Sequence, residues 1–205
     1  MKKQIGIYGG TFDPFHFGHL NLAFEIMEKR FLDEVWFVPA QINPHKRHSL
    51  PISVHHRLAM LHAALDQLPF FKIKDLELER PPPSYTIDTI RTIIEEGKNS
   101  CPSPQFYFIM GEDAMTGFSQ WHLSKEIIKL VPLLIGSRYG FWKGHMEQLA
   151  GEEEIRQALQ QGLIQTSMMD ISSSNVRERL HKNLYCGHLV PTNVLNYIQQ
   201  NQLYV

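Results

Sequence analysis

A chain of 205 residues is long enough to bury a full core, and 43% hydrophobic with 20% charged residues is the ordinary balance of a globular enzyme. A formal charge of −1 excludes a global basic field of the kind that holds nucleic acid non-specifically, so local basic clusters are left to serve small anions. No run approaches the roughly 18 apolar residues of a membrane span, and Cys101 and Cys186 lack partners at metal-ligand spacing, which argues against a zinc site or a disulfide framework. The first residues enter strand-like sequence without an apolar leader. The chain is therefore expected to be cytoplasmic, with neither nucleic acid nor membrane as a partner; a homo-oligomer is compatible with it.

Strand-like and helix-like segments alternate throughout, which predicts an α/β fold: a Rossmann-like, doubly wound parallel sheet with helices on both faces and ligands at the carboxyl ends of the strands. Residues 5–8 read as the first strand; Leu20, Ala23, Phe24 and Met27 then share one helical face, and residues 34–38 read as the second strand. A polar, proline-punctuated loop fills 39–51, of a length that suits ordering on binding. Leu58, Leu61, Leu65 and Leu68 mark the next helix, with Ser53 as its cap, and residues 71–76 alternate as a strand. Pro81, Pro82 and Pro83 forbid regular structure before a helix carrying Ile87, Ile90 and Ile94.

Residues 105–110 form the next central strand, which ends at Gly111. Trp121 opens a helix that reaches Lys129, and 131–135 make a short apolar strand. A glycine- and aromatic-rich loop over 137–145 leads to a helix at 152–161 with acidic residues in its first turn, then to a last strand at 163–170. Helices at 173–181 and 192–200 close the chain. With no internal repeat or linker, residues 1–205 are expected to form one domain, its last helices, from about 172 to 205, packed on the rest.

The most informative segment runs from Gly9 to His19, where a strand's end meets a helix's start. Backbone N–H groups at such a junction lack helical partners and the helix end is partly positive, so the junction suits phosphate. His16 and His19 lie near enough to meet one polyphosphate together, and Gly18 lets a ligand approach the backbone. The third glycine of the dinucleotide fingerprint is missing, and no Gly-Lys-Ser/Thr follows as in a Walker loop. Ile171 through Arg179 makes a second junction of this kind: the hydroxyls of Ser172, Ser173 and Ser174 and the charged fork of Arg177 suit phosphate oxygens, while a plain helix cap on Ser172 or Ser173 is the competing reading. His55, His56, His62, His122 and His188 pair with no motif and read as structural or surface side chains.

The pattern Gly-Thr-Phe-Asp-Pro-x-His-x-Gly-His, at Gly10 to His19, resembles the first signature of the adenylyl- and cytidylyltransferase superfamily. Ile171-Ser172-Ser173-Ser174-Asn175-Val176-Arg177 resembles its second, with Ser174 where threonine is usual. Aminoacyl-tRNA synthetases share a motif similar to the first, but theirs is paired with a lysine-rich second motif. Three further stretches, Gln41 through Lys46, Ser84 through Thr89, and Gly111-Glu112-Asp113-Ala114 with Trp121, are similar to the bacterial nicotinate-nucleotide adenylyltransferases. So is the run from Leu189 to Tyr204, and the resemblance covers nearly the whole chain. A pantetheine-phosphate adenylyltransferase would lack the Ser-Tyr-Thr segment, and a glycerol-phosphate cytidylyltransferase would carry an Arg-Thr-x-Gly-Ile-Ser motif that is absent here.

The resemblance implies a nucleotidyltransferase-type fold and transfer of AMP from ATP to nicotinic acid mononucleotide, giving deamido-NAD and pyrophosphate, with Mg²⁺ carried on the ATP phosphates and no dedicated metal site. Preference for nicotinamide mononucleotide or another phosphorylated acceptor, and a nucleotide-binding sensor without turnover, are the alternatives. His16, His19, Lys46 and Arg177 are the implied catalytic residues. Gly9, Gly10, Thr11, Phe12, His16, Gly18, His19, Gly111, Asp113, Arg138, Ile171, Ser172, Ser173 and Arg177 would meet ATP, with Arg138 beside adenine in a loop where Tyr139 replaces the usual proline.

Thr11, Lys46, Tyr85, Thr86 and Trp121 would hold the mononucleotide. Lys46 suits its phosphate, though a lone lysine is ordinarily just solvated. The amides of Tyr85 and Thr86 suit an anion such as a pyridine carboxylate, and equally suit an ordinary helix start. Trp121 would stack on the ring, whereas alone it reads as core. Asp113 suits a ribose hydroxyl or an N-cap.

Overall fold

Consecutive side chains on the central strands belong to two different cores. In β1 (Gln4–Gly10), Ile5 and Ile7 join one buried cluster and Tyr8 the other; in β4 (Gln105–Gly111), Phe106, Phe108 and Met110 face the first and Ile109 the second. A period of two with both sets buried requires a sheet covered on both faces. The computed structural model describes residues 2–41, 51–78, 80, 83–137, 149, 151–167 and 169–205 and has that architecture. β1, β2 (Glu34–Pro39), β3 (Phe71–Ile73), β4, β5 (Leu133–Ser137) and β6 (Leu163–Gln165) form one parallel sheet in the order β3-β2-β1-β4-β5-β6.

Two helices, α1 (Phe17–Lys29) and α2 (Val54–Leu65), cover one face through Ala23, Ile26, Leu61 and Leu65. The other face carries α3 (Thr86–Gly97), then, beyond the one-turn α4 (Glu112–Met115), α5 (Ser124–Leu130) and α6 (Glu153–Gly162), which bury Ile87, Ile90, Ile93, Ile127, Ile155 and Leu159. Each such side chain contributes about 1.5–3 kcal/mol by leaving water. A third cluster ties α7 (Ser173–His181) and α8 (Thr192–Gln200) to α2 through Val176, Val194, Leu195, Ile198 and Met60. Among the described residues no helix is long and apolar enough to cross a membrane.

The differences from the sequence-based elements have physical causes. β3 stops at Ile73 rather than at 76, and β6 at Gln165 rather than at 170. Both are edge strands, and each ends near the limit of its single neighbour: Ile73 pairs with Phe37, and Gln165 with Ser137, the last residue of β5. The helix expected from Trp121 begins instead at Ser124. Trp121 ends a short 3₁₀ turn over Phe118–Gln120, and Leu123 takes a left-handed conformation between the two. On α2 the buried stripe is Arg57, Met60, Leu61 and Leu65, so an arginine occupies a place that the leucine periodicity assigned to Leu58.

β1 is flanked by β2 and β4, so the winding reverses beside it. The crevice outside the carboxyl ends of β1 and β4 is where an open α/β sheet takes its ligands.

Candidate active site

β1 leads into the crevice through Gly10, where a Cβ would come within 2.7 Å of the Phe12 ring; only glycine lets that ring fold back. Phe12 holds a positive φ of 51° and is 1% exposed, its ring packed against Tyr8, Phe15, Phe37 and His19. Expected at the ATP, it faces the core with its side chain, which leaves its backbone to face a ligand. Thr11 beside it has a buried hydroxyl with no hydrogen-bond partner among the described residues, an orphan that a ligand would satisfy.

His16 is the N-cap of α1 and His19 its third residue. The rings stack at 3.7 Å between centroids, 22° apart in plane, with Phe15 stacked against His19 at 5.5 Å. The backbone N–H of His16 donates to Nδ1 of His19 at 3.3 Å. That bond makes Nδ1 an acceptor, so the neutral ring carries its proton on Nε2 and is a donor there. His16 is 5% exposed and forms the floor of the pair, while His19 is half-buried. Not every first-turn amide is open, as the sequence alone suggests: Phe17 donates to the Leu189 carbonyl at 2.9 Å and His19 to the His16 carbonyl at 3.0 Å. A Cβ at Gly18 would meet the His16 ring at 3.0 Å and the Ile171 carbonyl at 3.3 Å, so glycine lets the two junctions close on each other.

They do converge. The Arg177 guanidinium donates through Nη1 to the Asp13 carbonyl at 2.6 Å, across 164 residues of sequence, and through Nη2 to the Ser174 hydroxyl at 3.3 Å. The Ser173 hydroxyl donates to the Pro14 carbonyl at 3.0 Å, and Ser172 caps α7 by accepting from the Asn175 amide. The single hydroxyl proton of Ser173 is thus engaged in docking the junctions, which leaves its backbone amide, in the open first turn of α7, as the group to face phosphate.

Arg57 underlies this arrangement, and nothing in the sequence marks it. The residue is 1% exposed, and its guanidinium donates to the carbonyls of Thr11, Ala40, Gln41 and Ile52 at 2.7–3.2 Å. Burial pulls its pKa below the ordinary value and the Asp13 charge opposes that pull.

Two pockets open at this edge of the sheet. One is lined by Gly9, Gly10, Ala40, Glu77, Ser84, Tyr85, Thr86, Phe108, Trp121 and His122, which brings the expected mononucleotide residues Tyr85, Thr86 and Trp121 together. Tyr85 is the N-cap of α3 and its carbonyl accepts from the amides of Asp88 and Thr89, so the amide of Thr86 belongs to the helix's open first turn. Trp121 is half-buried against Phe108 and Phe118, part core and part pocket wall. Two further pocket groups escape a sequence-only reading. His122 packs against Tyr85 at 4.5 Å between centroids, the rings tilted by 39°; its adjacency to Trp121 was the available signal. Glu77 is a buried acid that accepts from the Thr89 hydroxyl at 2.6 Å. Burial holds the Glu77 carboxyl above its ordinary pKa, opposed by the Thr89 and Ser84 hydroxyls and by Arg80.

The second pocket is lined by Gly18, Asn21, Leu22, Gly111, Gly136, Thr166, Ser167 and Met169. Gly18 and Gly111 are expected ATP residues; Gly136 is not, and a Cβ there would collide with the Leu22 side chain. Asp113 does not cap α4, a place taken by Gly111; it is exposed, and its carboxylate folds back over that glycine. Lys46 and Arg138 lie outside the described residues, as does most of the 39–51 loop. Among the described residues no cluster of three or more His, Cys, Asp or Glu side chains is arranged to hold a metal ion.

A family model described as cytidylyltransferase-like matches residues 7–179, a span that contains both junctions. The chain is 35% identical over 202 residues to a probable nicotinate-nucleotide adenylyltransferase of Oceanobacillus iheyensis, covering 98% of this chain and 97% of that one. It is 38% identical over 201 residues to a probable nicotinate-nucleotide adenylyltransferase of Carboxydothermus hydrogenoformans, with 98% of each covered. The nicotinate-nucleotide adenylyltransferase of Bacillus subtilis is 35% identical over 207 residues, again with 98% of each covered. Among solved structures, the nicotinic acid mononucleotide adenylyltransferase of Plasmodium falciparum complexed with NaAD superimposes with a TM-score of 0.75 at 23% identity, covering 98% of this chain and 97% of that one, a likeness of fold. The signatures, the parallel sheet and these full-length relatives agree: the chain belongs to the cytidylyltransferase-like family and, within it, to the nicotinate-nucleotide adenylyltransferases, which are nucleotidyltransferases.

Proposed function

We propose that the two pockets hold the two substrates of an adenylyl transfer, ATP beside Gly18 and Gly111 and nicotinic acid mononucleotide beside Tyr85, Thr86 and Trp121. An oxygen of the mononucleotide phosphate forms a bond to the α-phosphorus of ATP. The bond from that phosphorus to the β-phosphate oxygen breaks, and its electron pair leaves with pyrophosphate, so deamido-NAD is the other product. The attacking group is already an anion near neutral pH, so no strong general base is required. Catalysis consists of holding two polyanions in line and neutralising the charge that develops. ATP enters as its magnesium complex, the ion arriving on the substrate's own phosphates.

His19 donates from Nε2 to the α-phosphate, with His16 holding its ring. Arg177 and the first-turn amides of α7 hold the outer phosphates: among the described residues Asp13 and Ser174 engage two of the guanidinium's five N–H groups, and the remaining edge of the fork serves the ligand. Thr11 offers a hydroxyl, unpartnered among the described residues, where the two substrates meet. Lys46 brings in the mononucleotide phosphate, the amides of Tyr85 and Thr86 take the pyridine carboxylate, and Trp121 stacks on the ring.

The observation that supports this reading is the Arg177 to Asp13 contact at 2.6 Å, which brings the two junctions side by side. Pyrophosphate release from ATP, measured with a panel of phosphorylated acceptors, tests it. Release is expected only with a mononucleotide present, with kcat/KM higher for the acid than for the amide, because free N–H groups favour a carboxylate. Preference for the amide would overturn the substrate assignment, and ATP binding without release would identify a sensor. Trp121→Ala is expected to raise KM for the mononucleotide roughly fivefold, the equivalent of about 1 kcal/mol of stacking, with kcat unchanged, because stacking is made equally in ground and transition states. A loss confined to kcat would contradict that role.

A further inference from the structure

Asp13 lies between the two phosphate junctions, and its side chain is only 8% exposed. Oδ1 accepts from the Tyr204 hydroxyl at 2.6 Å, a buried bond that spans 191 residues of sequence. Oδ2 lies 3.7 Å from Nη1 of Arg177, which donates instead to the backbone carbonyl of the same aspartate. Arg177 is therefore poised beside a carboxylate without forming a close ion pair with it. A carboxylate this buried needs donors, and the tyrosine supplies one. Burial, then the bond to Asp13 and its charge, push the phenol far above its ordinary pKa, so it remains a proton donor across the physiological range. Tyr204 itself is 8% exposed and seated in the cluster that joins α7 and α8 to α2.

We propose that Tyr204 is a positioning residue of the polyphosphate site: by engaging Oδ1 of Asp13 it keeps the Arg177 guanidinium available to the outer phosphates of ATP. Without the hydroxyl, the carboxylate has its nearest mobile donor in Arg177. The guanidinium turns from the backbone carbonyl into a close pair with Asp13, and the leaving pyrophosphate loses a cation. The effect acts through Arg177 on one substrate. It should not reach the Tyr85 and Trp121 pocket, which is built from other elements.

This inference rests on the assignment of Arg177 to the ATP phosphates, and the test separates the two. In Tyr204→Phe, KM for ATP and the inhibition constant of inorganic pyrophosphate should both rise roughly three- to tenfold, the range of one ordinary hydrogen bond. KM for nicotinic acid mononucleotide should move by less than about twofold. The double variant Tyr204→Phe with Asp13→Asn, which removes the charge that captures Arg177, should recover part of the ATP affinity, a rescue that a general packing defect would not give. An unchanged ATP KM in Tyr204→Phe would overturn the proposal, as would equal rises in both KM values in step with a lower melting temperature. If Arg177→Ala in the wild-type background left pyrophosphate inhibition unchanged, the assignment of Arg177 would fail and this inference with it.

Discussion

His19→Ala is expected to lower kcat by roughly 10²–10³-fold while changing KM for ATP only a few-fold, the size seen when a preorganised donor to a developing anion is removed. The magnitude follows from how firmly the ring is held. The His16 backbone N–H fixes Nδ1 at 3.3 Å, the His16 ring lies 3.7 Å below, and Phe12 and Phe15 close two further sides. A donor held this way needs no reorganisation as charge builds on the α-phosphate. The same bond also gives His19 a structural part as a helix cap, which typically contributes about 1 kcal/mol. At roughly 2–4 °C per kcal/mol for a chain of this size, the alanine variant should melt only slightly lower. His19→Asn separates the two parts: its side-chain oxygen can still accept from His16, but it has nothing in place of Nε2–H. It should keep the melting temperature and lose the turnover. Steady-state kinetics on both variants checks this, and an asparagine variant with wild-type kcat would reduce His19 to a cap.

The central strands and the strand-to-helix junctions were legible because their signals are local. Alternation in residues 5–8 and 105–110, helical spacing from Leu20 to Met27, and a strand-to-helix junction rich in Gly, Ser and His each arise within a dozen residues, and all lie where expected. Where a partner decides the outcome, the chain's own pattern was silent. The alternation of 71–76 runs past Phe37, the last residue of β2 that pairs with β3, so three residues of β3 form rather than six. The site divides in the same way. His16, His19, Ser173 and Arg177 sit in recognisable junctions, but Phe12 faces the core because a positive φ turns it there. Glu77, His122 and Tyr204 matter through neighbours that are distant in sequence or across a pocket. Arg57 is the sharpest case. Arginine is almost never fully buried, so helical periodicity passes over it in favour of Leu58, and only the fold reveals that backbone carbonyls surround it.

Arg57→Met should destabilise the fold by about 3–5 kcal/mol, a fall in melting temperature of roughly 6–20 °C. Two effects oppose each other. Removing a buried guanidinium relieves its desolvation, the effect that pulls its pKa down, and replacing a buried charge by an apolar side chain of similar length is sometimes neutral. Neutrality, however, requires that the partners be replaced as well. Here the partners are the backbone carbonyls of Thr11, Ala40, Gln41 and Ile52, which no side-chain substitution removes. These carbonyls are part-buried, and each one left without a donor where water does not reach costs about 1–3 kcal/mol, so four of them outweigh the relief even if water reaches half. Arg57→Lys keeps the charge but brings a single ammonium in place of a fork, and one nitrogen cannot serve Ile52, Thr11 and Gln41 together. It should recover less than half of the loss. Thermal and urea unfolding of both variants measures this; a methionine variant within 1 kcal/mol of wild type would mean that water already satisfies these carbonyls. Because Thr11 and Ala40 border the crevice, residual activity in the lysine variant should fall at temperatures well below its unfolding midpoint, the mark of a loop loosened before the sheet gives way.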